Sequence, residues 1–164
     1  MATSVSPTDG LLARAGTRLA AAAGCLQAPF LLAVRLYWGW QFAQTGWGKL
    51  HHLPKVAAFF TSLGIPFPWL NAPFIAVLEW AGGILLVLGL GTRPVGLLLA
   101  VDMAVAYLTA DRQALLAVFR SPDTFYAAAP FPFLMASLVA FLFGAGPVSL
   151  DRLAGRWWTG RRGR

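Results

Sequence analysis

Three ionisable side chains fall inside long apolar runs of this chain: Arg35, Glu79 and Asp102, with the amides of Gln41 and Gln44 nearby. A charge at the centre of a membrane helix costs at least about 2.5 kcal/mol, so such residues are rare and are either paired or functional. At a rise of about 1.5 Å per residue, Arg35 and Asp102 come roughly 10 to 12 Å from one edge of their runs, whereas Glu79 lies about 10 Å from the opposite edge, near Gln41. The spacing therefore predicts an Arg35–Asp102 pair, with Glu79 bonded to Gln41 or approached by the Arg35 head group. Two roles fit this polar cluster. It fixes which helix packs on which, or it binds a polar head group or conducts a proton, tasks suited to a carboxylate at membrane depth.

A second polar group, Lys49, His51 and His52, lies at the far mouth of the first run. Two imidazoles beside a cation suit anion binding, proton relay or metal ligation. Adjacent histidines on a helix point about 100° apart, and two ligands do not close a metal site, so these residues read as interfacial side chains and no metal is expected.

The elements that carry these residues are four apolar runs, at about 28–47, 72–90, 95–110 and 125–143. Each approaches the roughly 20 residues needed to cross about 30 Å of hydrocarbon, the third being short. Residues 1–27 form a tail in which Leu11, Leu12, Ala15 and Leu19 share a face, suited to an interfacial helix. Residues 151–164 form a basic tail around a membrane domain at 28–150. Between the first two runs, residues 55–64 repeat apolar positions at helical spacing before Gly64, predicting a short interfacial helix. The sequence around Gly89, Gly91 and Pro94 predicts a tight antiparallel hinge. Arg35, Gly39, Phe42, Gly46 and Lys49 fall on one stripe, and Glu79 shares a face with Gly82 and Gly83, so these glycines read as sites of close helix packing.

Composition agrees with a membrane fold. Hydrophobic residues make up 58% of the 164 positions and charged residues 12%, the latter about half the share of a soluble domain. The net charge of +7 does not imply nucleic acid, because five arginines lie together after the last run, as expected of a cytoplasmic flank. The tails and the 91–94 turn carry eight Lys and Arg against four in the other two loops, which predicts both termini in the cytoplasm. Trp47, Trp69, Trp157 and Trp158 fall at run edges, where an aromatic belt anchors a bundle. Cys25 is the single cysteine, too few for a disulfide or dithiol motif, and the apolar stretch before it is too short for a lipoprotein signal. The fold class predicted is all-α: a polytopic membrane protein built as an antiparallel four-helix bundle with a short interfacial helix in its first outer loop.

Several motifs occur in order: Arg35, Gly39 and Gly46-Trp47-Gly48-Lys49-Leu50; Phe59 with Gly64-Ile65-Pro66; Glu79-Trp80-Ala81-Gly82-Gly83; Gly89-Leu90-Gly91-Thr92-Arg93; and Gly144-Ala145-Gly146-Pro147-Val148-Ser149-Leu150-Asp151. Together they resemble the DoxX family of small four-helix bacterial inner-membrane proteins, over about Phe30 to Leu153. Two positions depart from the family pattern, which often places a histidine at Thr45 and another near Tyr107, Thr109 and Asp111. Characterised relatives include a subunit of a thiosulfate to quinone oxidoreductase. The resemblance thus implies an accessory subunit of a membrane redox complex, with quinone as ligand and other membrane or peripheral redox proteins as partners. No haem ligand pair, cysteine cluster or complete catalytic site is present in the sequence, so electrons would come from a partner. Two other readings stand beside it: a non-catalytic assembly subunit docking larger partners, and small-solute or proton transport by a homo-oligomer.

Overall fold

A computed structural model of the protein describes residues 7–161, and every regular element in them is helical. In chain order these are α1 (Pro7–His51), α2 (Leu53–Ser62), α3 (Pro68–Leu88), α4 (Thr92–Thr109), α5 (Arg112–Leu116), α6 (Pro122–Ala127), α7 (Pro130–Phe143) and α8 (Leu150–Arg161). The segments Gly16–His51, Pro68–Leu88 and Thr92–Thr109 are long and apolar enough to cross a membrane, and Pro130–Phe143 is a shorter apolar helix. The exposed surface is rich in large apolar side chains such as Trp40, Phe74, Val77, Leu98, Val101, Leu108 and Leu142. Lipid is the solvent that suits such an exterior.

The four principal helices form an antiparallel bundle whose order around the ring is α3, α1, α7, α4. α1 packs along α3 and α4 along α7, while narrower contacts join α1 to α7 and α3 to α4. Small residues permit the two broad contacts. A Cβ on Gly39 would lie 2.8 Å from the Gly83 carbonyl oxygen, and one on Gly46 would lie 2.7 Å from that of Ala76. A Cβ on Gly83 would likewise run into the backbone of Ala43, and one on Gly96 would lie 2.8 Å from the Phe141 nitrogen. Gly82 faces the other way, toward the Leu99 side chain. In lipid, where apolar burial drives nothing, such close approach supplies the dispersion contacts that hold helices together. The core proper is small: Phe42, Leu86, Leu99, Met103 and Ala140 pack together, with Phe133 edge-on to Phe42 at 4.8 Å.

The element boundaries differ from the apolar runs in instructive ways. α1 is helical from Pro7 and continuous through the expected tail, so it is about 67 Å long, far more than the hydrocarbon thickness. Its residues 16–19 and 21–27 are exposed. The side chains of Leu11, Leu12, Ala15, Trp157 and Trp158 lie outside those described. α3 starts at Pro68, which suits a first helical position, and stops at Gly89 (φ 68°), whose left-handed conformation a glycine adopts freely. The fourth run is broken, because Ala128 is extended (φ −66°, ψ 138°) between α6 and α7. Pro130 and Pro132 lack the N–H groups that would carry the helix across, which leaves α7 with 14 residues.

Candidate functional site

The polar residues of the membrane domain divide into two groups at opposite ends of the bundle. At the end that carries the α3–α4 hinge, Arg35 is buried at 3% exposure. Its Nε donates to the Leu86 carbonyl (3.0 Å), its Nη1 to the carbonyls of Val148 (3.0 Å) and Ala145, and its Nη2 to that of Val87 (3.4 Å). Leu86 and Val87 belong to the last turn of α3, the negative end of the helix dipole; the Leu86 carbonyl also accepts from the Gly89 N–H that caps the helix (3.1 Å). Asp151 complements the other side of the hinge. Its carboxylate accepts from the backbone N–H groups of Gly91 (2.8 Å) and Thr92 (3.1 Å) at the positive N-terminus of α4, while its own N–H donates to the Gly89 carbonyl (2.9 Å). A Cβ on Gly89 would come 2.5 Å from Arg35 Nη2, so this position has room only for glycine.

Arg35 therefore does not pair with Asp102. α1 and α4 stand diagonally across the ring, separated by α3 and α7, and a helical side chain leans toward its own N-terminus. The long Arg35 side chain accordingly runs toward the hinge and not up to the level of the carboxylates. Nor does Gln41, which is half-buried, bond Glu79, whose partner is Lys49.

The second group lies at the α2 end, 14 positions further along α1 from Arg35. Lys49 Nζ is 2.6 Å from Glu79 Oε1. Glu79 is 2% exposed and Asp102 8%, and their side chains are in hydrogen-bonding contact across the α3–α4 seam. Their second oxygens, Glu79 Oε2 and Asp102 Oδ2, have no partner among the described residues. Glu79 stands ten residues before Gly89 and Asp102 ten after Thr92, so each is about 15 Å from the hinge and the two are level. Of the expected cluster, Glu79 and Asp102 lie together, Arg35 lies apart from them at the hinge, and the cation beside Glu79 is Lys49.

Above these three residues the narrow α3–α4 contact opens into a cavity of about 670 Å³ bounded by α2, α3 and α4. Phe59, Phe60, Phe74, Leu78, Val101 and Met103 are among its apolar walls, and Lys49, Glu79 and Asp102 form its polar end. α2 has no buried residue of its own and lies over this seam against α3. An apolar cleft with a few convergent polar groups is the usual form of a small-molecule site. A smaller, shallower cleft of about 390 Å³ runs along the outside of α1 and α3 between Trp40, Gln44, Trp47 and Trp80.

His51 and His52 do not join the site. Both are exposed and each Nδ1 bonds a carbonyl of α1 at 2.9 Å, that of Trp47 and Gly48 respectively. Among the described residues no cluster of three metal-ligating side chains occurs. Thr45 bonds back to the carbonyls of Gln41 and Phe42, and the Tyr107 hydroxyl donates to the Phe125 carbonyl at 2.8 Å, fastening α4 to α6.

A family model described as DoxX matches residues 30–112, just over half of the chain. The chain belongs to the DoxX family. Comparison with curated proteins finds no match, and neither does comparison with solved structures. The DoxX match spans Arg35, Lys49, Glu79 and Asp102 together with α2, which is every element of the cavity; the Gly144 to Asp151 segment that embraces Arg35 follows it. A multi-pass membrane protein of this family is therefore what sequence, fold and comparison jointly describe.

Proposed function

We propose that this DoxX-family chain is an accessory subunit of a membrane redox complex, holding a quinone between α2, α3 and α4 while a partner protein supplies the electrons. The observation that carries this reading is the 670 Å³ apolar cavity ending in the Lys49–Glu79 ion pair and Asp102. Its walls suit a prenylated ring and tail, and its polar end offers both hydrogen-bond donor and acceptor to a head group. Bound there, a quinone supplies the electron-carrying chemistry that no group of this chain provides. The chain's own part is to orient the head at Lys49, to keep water out through the aromatic wall, and to hold a proton between the Glu79 and Asp102 carboxyls. The bias of Lys and Arg toward the tails supports a bacterial inner-membrane placement with both termini in the cytoplasm.

An assembly subunit without bound quinone is the second reading, and Arg35 favours it, since all its hydrogen bonds go to backbone and serve only to lock the bundle. Gentle purification in detergent, with mass spectrometry of extracted lipids and co-purified proteins, separates the two. Quinone present in the wild type and lost from Glu79→Gln supports the redox subunit; a quinone-free protein with stable partners supports the assembly subunit.

A further inference from the structure

The roof of the cavity is attached along one edge. α2 contributes Val56, Phe59, Phe60 and Leu63 to the lining, yet none of its residues is buried and Phe59 is 51% exposed. It packs on α3 and slightly on α1, and among the described residues it makes no contact of that extent with α4, the facing wall. On that wall Val101 and Val105 line the cavity while 54% and 44% exposed, so the gap between α2 and α4 opens sideways to the bilayer. An element with few buried contacts is among the first to leave its place.

Both ends of α2 are joints. At the first, α1 stops at His51 and α2 starts at Leu53, and the intervening His52 leaves the helical region (φ −130°, ψ 33°). At the second, Gly64 (φ 72°) is followed by Phe67 (φ 47°, ψ 55°), the one non-glycine residue with positive φ among those described. A left-handed conformation strains a bulky residue and persists only where its surroundings impose it. The Phe67 side chain does not impose it, being 69% exposed. Asn71 does: its Nδ2 donates to the Pro66 carbonyl (2.6 Å) and its N–H to that of Phe67 (3.0 Å).

We propose that α2 is a lid that swings away from α4 about His52 and the 64–67 turn to pass an amphiphile between bilayer and cavity, with the strain at Phe67 held in the closed form and released on opening. A few positions at the ends of an element are enough to absorb such a motion. Only the identity of the amphiphile rests on the quinone reading.

Spin labels at Ser62→Cys on α2 and Leu108→Cys on α4, both exposed positions, report the opening by double electron–electron resonance. The full chain is used in nanodiscs, with the exposed Cys25 replaced by alanine. This parent is expected to show a short distance, that of the closed form, and a longer one. Phe67→Asn, whose short side chain tolerates the left-handed region, should lower the ratio of long to short about fivefold, the lower end of what that conformation costs a non-glycine residue. Asn71→Ala, which frees the Pro66 carbonyl, should raise the ratio about fivefold, as loss of one hydrogen bond allows. A single short distance in both the parent and Asn71→Ala overturns the lid, and a ratio that Phe67→Asn leaves unchanged overturns the role of the strain. Saturating decylubiquinone should deplete the longer distance; a lid that moves without responding to it supports the lid and removes quinone as the occupant.

Discussion

Lys49, in the last turn of α1, reaches Glu79 in the middle of α3 at 2.6 Å, and this ion pair closes the polar end of an apolar cavity. A lysine near a helix end can extend its ammonium along apolar surface; here the head turns inward and neutralises a carboxylate at membrane depth.

Removing the lysine alone should therefore destabilise the protein. Lys49→Met leaves Glu79 buried without its cation, at an expected cost of about 1–3 kcal/mol. The upper part of that range is discounted because the Lys49 side chain is 32% exposed. The double variant Lys49→Met/Glu79→Met should recover most of the loss, since two apolar side chains need no partner. Denaturant midpoints of the detergent-solubilised proteins measure both.

Arg35→Ala should cost more than Lys49→Met, about 3–5 kcal/mol, because it orphans carbonyls on α3 and on the 145–148 segment together. Arg35→Lys should restore only part, since an ammonium cannot spread its donors across carbonyls on two segments as the guanidinium does. Asp151→Ala should cost about 1 kcal/mol, the usual loss for a helix N-terminal cap. In all three, thermal midpoints should fall while the quinone affinity of the folded fraction stays unchanged, as the hinge latch lies about 21 Å along α1 from Lys49.

Two glycines two positions apart should respond oppositely to the same change. Gly46→Ala drives a methyl into the backbone of α3 at Ala76 and Trp80, whereas a Cβ at Gly48 meets open space. The first should lose about 1–3 kcal/mol through overpacking. The second should be neutral or gain up to about 1 kcal/mol from better helix propensity. Unfolding midpoints of the two variants, compared side by side, check the α1–α3 interface directly.

Composition and the lengths of the apolar runs made the helical bundle legible, and Gly39, Gly46 and Gly83 marked where α1 meets α3. The partners of the buried charges were less legible, for two physical reasons. Distance measured from the edges of apolar runs depends on where each run is begun. Starting the third at 95 put Asp102 near Arg35, whereas α4 begins at Thr92, which puts Asp102 level with Glu79; counting ten residues each way from the hinge would have shown it. The ring order α3, α1, α7, α4 is a second unknown, since no one-dimensional pattern tells which helices stand diagonally. Asp151 as the cap of α4 was readable only as part of a family-like ending. The break at Ala128 followed from Pro130 and Pro132, which an apolar count overlooks.

The claim that the cavity between α2, α3 and α4 is a quinone site is tested most directly by photolabelling the protein in nanodiscs with an azido-quinone and mapping the adducts by peptide mass spectrometry. Adducts are expected on the cavity wall, at residues such as Phe59, Leu78, Val101 and Met103, competed away by unlabelled quinone and absent from Glu79→Gln. Adducts confined to the Trp40, Trp47 and Trp80 cleft, or unaffected by competitor and by Glu79→Gln, would contradict it.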